Sequence, residues 1–213
     1  MPAIPQRLAI LTLVAAVYGS PLTAQRASIT ADASIGLSGG LQRSAVSGWY
    51  PVAEVWQRVT FDIGLRATSY TGDGRTYTNR GTVSDSVPGT LSLSTGVLGV
   101  NLGVQAKVRL IDRVSVGFNL DVAGFATGAS NTTGRLTASV QSGSLFLGGA
   151  GDLGALNSET YVAVRLTDRI ALRGGTSHFV TNYLVRQPSK VATPDARYQK
   201  FETVPFLAIA VRF

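Results

Sequence analysis

The chain has 213 residues, no cysteine, one histidine and a formal charge of +7, with 45% hydrophobic residues. Without cysteine, disulfides, thiolate zinc sites and lipid attachment through a terminal thiol are excluded, and a single histidine excludes a histidine-rich metal cluster. The hydrophobic residues are spread thinly along the chain instead of being gathered into membrane-spanning runs.

Leu8 to Tyr18 is the one continuous apolar run, and its 11 residues fall short of the about 20 that a spanning helix needs. Arg7 precedes it and Gly19-Ser20-Pro21-Leu22-Thr23-Ala24 follows, so residues 1–24 read as a cleavable signal peptide and 25–213 as the mature domain. Next, Ile29, Ala31, Ala33, Ile35 and Leu37 alternate with Thr30, Asp32, Ser34, Gly36 and Ser38, a period of two that specifies a strand with one apolar face. Gly39-Gly40 turns it. A second strand over about 45–56 is interrupted by Pro51, and a third runs over 59–70 with Val59, Phe61, Ile63, Leu65 and Ala67 on its apolar face. A polar loop over about 71–90 is predicted from Thr71-Gly72-Asp73-Gly74 and Pro88-Gly89.

The most regular part of the chain is the hairpin of strands 92–110 and 113–127, hinged on Asp112-Arg113. Val100, Leu102, Val104, Ala106, Val108 and Leu110 lead in on one face, and Val114, Val116, Phe118, Leu120 and Val122 lead out. The same pattern returns closely at Val164-Arg165-Leu166-Thr167-Asp168-Arg169-Ile170 and loosely at Val55-Trp56-Gln57-Arg58-Val59, placing turn arginines at 58, 113 and 169, spaced 55 and 56 apart. A long segment over 128–156 contains Gly149-x-Gly151-x-x-Gly154, but no helical periodicity follows it, so these are loop glycines and not a dinucleotide fingerprint. Strands over 157–167 and 169–182, a basic loop to about Lys200 and a last strand from Phe201 to Phe213 complete the chain. Short turns at one end and long connections at the other, with an even strand number, specify an all-β fold: an eight-stranded antiparallel transmembrane β-barrel.

The ending Leu207, Ile209, Val211, Phe213 resembles the C-terminal signal of bacterial outer-membrane proteins, with Phe206 and Val204 departing from the usual glycine and polar residue. The chain is similar to small eight-stranded barrels such as the transmembrane domain of outer-membrane protein A. The resemblance implies a location in the outer membrane of a Gram-negative-type bacterium, recognition by the barrel-assembly machinery, and contact with outer-membrane lipid and lipopolysaccharide. Because the last strand ends the chain, no following peptidoglycan-binding domain is expected, nor is a cofactor or a nucleic-acid partner. A monomer is expected.

With the apolar faces turned to lipid, the lumen receives Asp32, Asp62, Asp121, Glu159 and Glu202 against Arg66, Lys107, Arg109, Arg165, Arg173 and Arg212. Eight strands leave room only for side chains, so these charges are expected to pair and plug the barrel. The alternative is a narrow solute or ion pore. His178 counts as lipid-facing, with Thr176 on the same face. Because the resembled family includes lipid A deacylases with a His-x-Ser pair, His178 with Thr176 or Ser177 is the candidate for a lipid-modifying enzyme, although position 180 is Val. Arg186, Lys190, Arg197 and Lys200 form a candidate patch for lipid phosphates, beside Tyr183 and Tyr198 read as interface aromatics. Asp73 and Asn79 match no calcium-loop spacing, so no metal is expected. The leading expectation is a non-enzymatic barrel with a structural or surface-interaction role.

Overall fold

A computed structural model describes residues 28–80, 88–133, 136–147, 154–186 and 196–213. The expected signal peptide, Lys190, Gly149 and Gly151 lie outside these residues. Eight long strands form the wall: β1 (Thr30–Ser38), β2 (Leu41–Val55), β3 (Val59–Asn79), β4 (Thr90–Ile111) and β5 (Val114–Gly128), then, after three short strands, β9 (Ala155–Arg165), β10 (Ile170–Arg186) and β11 (Ala196–Arg212). The short ones are β6 (Asn131–Thr133), β7 (Leu136–Val140) and β8 (Gly143–Leu145). Each wall strand pairs antiparallel with its neighbour, and β11 pairs with β1 from Gly36↔Phe206 to Thr30↔Arg212, closing the ring of eight wall strands.

The apolar face of the alternation is the outer face. Ile35, Leu65, Leu102, Val162, Leu172, Leu207 and Ile209 are all exposed, on strands all round the ring, while the residues between them are mostly buried inside. An unpartnered apolar belt of this extent is stable only against lipid. Along β4 the belt runs from Leu98 to Leu110; beyond it the same outer face carries Thr90, Ser92 and Ser94, all exposed, so the strand continues past the hydrocarbon.

Three expectations are corrected here. The second strand starts at Leu41 and not near 45, because Gly39 and Gly40, with φ of 51° and 77°, make a two-residue turn that pairs Ser38 directly with Leu41. Pro51 is accommodated by a bulge between Pro51 and Ala53. The predicted loop over 71–90 begins as strand, which continues to Asn79. Thr71-Gly72-Asp73-Gly74 is a bulge, with Gly74 at φ 60°, after which β3 resumes its pairing at Arg75↔Leu93 and runs to Asn79. The basic loop to Lys200 is likewise shortened by β10 reaching Arg186 and β11 beginning at Ala196.

Because β1 and β2 meet in that early turn, the other strands outrun them. Above it β11 pairs directly with β3, through Tyr198↔Asn79 and Gln199↔Thr78, so the ring narrows. On the opposite side β7 pairs with the top of β10 from Tyr183↔Val140 to Arg186↔Thr137, and β8 pairs with β5. The barrel therefore tapers toward its long-connection end.

Candidate functional site

The lumen has three levels. At mid-height, Glu159 from β9 is the hub: it pairs with Arg43 of β2, accepts from Arg66 Nη2 of β3 at 3.3 Å, from Arg173 Nη2 of β10 at 3.4 Å and from Asn119 Nδ2 of β5 at 2.7 Å. Asp32 pairs with Arg173 and accepts from Ser47 Oγ at 3.0 Å and Trp49 Nε1 at 2.9 Å. Asp121 takes Arg66 Nη1 at 3.2 Å, Asn101 Nδ2 at 2.9 Å and the Asn157 backbone N–H at 3.0 Å. Asp62 takes Gln105 Nε2 at 2.6 Å and Lys107 Nζ at 2.9 Å. Four acids thus meet four bases, and all but the half-buried Lys107 are buried. Buried ions survive only when paired and hydrogen-bonded in this way.

Two aromatics hold the arginines in place. The Trp49 ring lies against Gly64 on the facing strand, where a Cβ would come within 2.5 Å of it, and the Arg66 guanidinium sits 5.5 Å from the ring centroid on the lumen side. Tyr161 repeats the arrangement: a Cβ at Gly117 would meet its ring at 2.3 Å, and Arg173 stacks at 3.8 Å. A glycine lets each large ring lie flat on the wall, and the ring then offers its face to a cation.

Above the network the lumen turns apolar. Tyr70 and Phe179 stack at 4.4 Å, Tyr77 and Tyr183 meet edge to face at 5.1 Å, and Leu41, Leu91, Leu93, Val97 and Tyr198 complete a buried cluster. The Tyr77 and Tyr183 hydroxyls share Thr95, and Tyr77 also reaches Thr181 at 3.0 Å. Tyr183 and Tyr198 are therefore not interface aromatics: both are fully buried, on the same inward parity as Arg173 and Phe179 in β10 and as Phe206 and Ala208 in β11. Below the network, at the short-turn end, an open vestibule of about 340 Å³ is left between Trp49, Tyr161 and the turns.

Of the eleven charges expected inside, Asp32, Asp62, Arg66, Asp121, Glu159 and Arg173 are buried in the network, with Lys107 at its lower edge. Glu202 sits higher, half buried, where Arg75 Nη2 reaches it at 2.8 Å and Lys200 Nζ at 3.4 Å. Arg109, Arg165 and Arg212 are corrected from buried to rim positions. They lie at the strand ends nearest the short turns, exposed and lining the vestibule. Arg43 and Arg75 were outside the expected set. A strand begun straight after Gly39-Gly40 puts Leu41, Arg43, Ala45, Ser47 and Trp49 inward, which is the signal for the first; Arg75 was hidden by the bulge.

His178 is exposed on the outer face, as is Thr176, whereas Ser177 points inward and donates to Asn157 Oδ1 at 2.6 Å. The wall thus separates Ser177 from the imidazole. His178 Nδ1 lies 3.0 Å from Thr203 Oγ1 across the strand pair, and among the described residues no carboxylate bonds the ring. Of the phosphate-patch candidates, Arg197 is exposed, and Lys200 is engaged by Glu202 and by the Thr76 carbonyl at 2.9 Å. Arg186 ends β10. Leu207, Ile209 and Phe213 project outward with 71%, 55% and 76% of their surface exposed, and Val211 between them is half buried.

No protein-family model and no curated protein matches the sequence. Among solved structures, the chain is similar to neisserial surface protein A, with 14% identity, 87% of this chain and 96% of that one covered, and a TM-score of 0.45. It is also similar to a major outer membrane protein from Thermus thermophilus, with 13% identity, 89% and 100% covered, and a TM-score of 0.42. The closed ring and the outward apolar belt are those of a small membrane-spanning β-barrel.

Proposed function

We propose that the protein is a non-conducting, non-enzymatic outer-membrane barrel with a structural or surface-interaction role in the envelope. The observation that carries this reading is the cross-section of the lumen: a closed set of ion pairs lies under an apolar aromatic cluster, and neither level offers the continuous wet path that conduction requires. Among the described residues the His178–Thr203 pair has no carboxylate to orient the ring, the third member of an activated nucleophile. In the same reading the chain is exported by a signal peptide over residues 1–24. The barrel-assembly machinery recognises Leu207, Ile209, Val211 and Phe213, the barrel is a monomer, and lipopolysaccharide surrounds its upper belt, with Arg197 and Arg186 at the height of its phosphates.

Planar-bilayer recording of the refolded barrel should show no steady conductance. Open channels whose conductance shifts on Lys107→Gln would replace this reading with a pore. Lipid A from cells expressing the protein should keep its acyl pattern, and loss of an acyl chain that His178→Ala abolishes would make the barrel an enzyme.

A further inference from the structure

The three short turns are built alike, and the likeness is in backbone bonding as well as in sequence. Arg58 in the β2–β3 turn accepts at its carbonyl the N–H of Arg109 on β4, at 2.8 Å. Arg113 in the β4–β5 turn accepts that of Arg165 on β9, and Arg169 in the β9–β10 turn accepts that of Arg212 on β11, both also at 2.8 Å. Each bond sets two arginines side by side. Three such pairs stand round the mouth of the lumen, one every two or three strands.

All six arginines are exposed, and all six line the vestibule. Arg109 has Glu54 at 3.7 Å, and among the described residues the other five have no carboxylate partner. Arg165 donates to the Asp112 carbonyl at 2.7 Å and Arg212 to Ser28 Oγ at 3.1 Å, which steadies each side chain with one N–H and leaves the rest of a five-donor fork unspent. Deeper in, Lys107 and Arg173 also line the wall but are paired with Asp62, Asp32 and Glu159, so the unbalanced charge is that of the six rim arginines, which face Asp112, Asp168 and Glu54. Like charges set beside one another in a sheet repel, and the repulsion is relieved when an anion sits between them.

We propose that this vestibule is a binding site for a small soluble polyanion carrying phosphate groups. Paired guanidinium forks match the oxygens of a phosphate, and three pairs round one opening suit a ligand with more than one such group. The volume, about 340 Å³, is that of a small-molecule pocket. Trp49, Tyr161, Ala163 and Ala210 close its inner end, buried, so that the ligand is held mainly by the rim arginines. Membrane headgroups carry the same chemistry, but they lie outside the wall, whereas these arginines face the lumen. The site goes beyond a structural role and stands whether or not the barrel has surface partners.

The test is calorimetric titration of the refolded barrel in dodecyl maltoside with inorganic phosphate and with tripolyphosphate. Tripolyphosphate should bind one to one, at least tenfold tighter than phosphate, and weaken steeply with salt. Arg113→Gln with Arg165→Gln should weaken it at least tenfold, as should Arg169→Gln with Arg212→Gln, while Arg197→Gln at the other end leaves it unchanged. Retained unboiled gel mobility will identify the variants that fold. Absence of saturable binding, or binding that both rim pairs leave intact, overturns the site. Titrations in phosphatidylcholine nanodiscs with and without phosphatidylglycerol separate the two sources of phosphate. Equal affinity supports the soluble ligand, and loss of binding with the anionic lipid overturns it in favour of headgroups.

Discussion

Replacing Glu159 with glutamine should lower the unfolding free energy of the barrel by about 3–5 kcal/mol, since it strands a buried cation. The other acids each retain a base when Glu159 is neutralised: Asp32 keeps Arg173, Asp121 keeps Arg66 and Asp62 keeps Lys107. Arg43 keeps none. Its remaining polar contact is Ser34 Oγ at 3.0 Å, and its side chain is fully buried near Phe206. Glutamine preserves the shape of the hub and can still accept from Asn119, so the loss isolates the charge rather than the volume. Urea titration in detergent, followed by the mobility difference between boiled and unboiled samples, gives the stability. Adding Arg43→Met to Glu159→Gln should recover at least half of it, because removing both partners removes the unpaired ion. A single variant within about 1 kcal/mol of wild type would show that the network does not hold the lumen.

This hub was half visible in the sequence. Alternation in β1, β5 and β9 assigned Asp32, Asp121 and Glu159 inward, and eight strands forced them to pair. Arg43 escaped because a strand start is set by its turn, and two glycines do not announce whether the partner strand begins at once or after a loop. The aromatic cluster escaped for a different reason. The bulge between Gly72 and Arg75 shifts the parity of β3, so that even residues such as Arg66 and Tyr70 point inward below it and the odd Tyr77 and Asn79 above it. A similar slip opposite Leu102/Gly103 skips Val122 in β5, turning Phe125 outward and Ala126 inward. Period two is read from neighbours and fails wherever one residue is inserted. The outer Ser and Thr residues of β3 and β4 beyond the belt compounded the error, since strands that leave the membrane lose the apolar half of their pattern. Equal spacing of the turn arginines was plain in the sequence, but their pairing with Arg109, Arg165 and Arg212 depends on the register between hairpins.

Leu102→Arg should cost about 2–4 kcal/mol in a bilayer, while Ser92→Arg on the same outer face of the same strand should cost about 0–1 kcal/mol. Leu102 is 47% exposed and lies beside Leu65 across the β3–β4 pair, and Val100 and Val104 flank it on the same outer face, within the belt from Leu98 to Leu110. A charge there must be carried into hydrocarbon or reach the interface by distorting the side chain and the lipid around it. Ser92 stands ten residues further along the strand, on the order of 25 Å higher for a strand tilted about 40°. An arginine there meets water and headgroup phosphate. Both sites are exposed, both face away from the lumen and both gain the same side chain, so intrinsic strand preference and lumen packing cancel in the comparison. What remains is the solvent outside the wall. Refolding into lipid vesicles, with the folded fraction read from unboiled gel mobility across a denaturant series, should separate the two variants by about 1–4 kcal/mol. Equal costs would mean that water, not lipid, covers the belt.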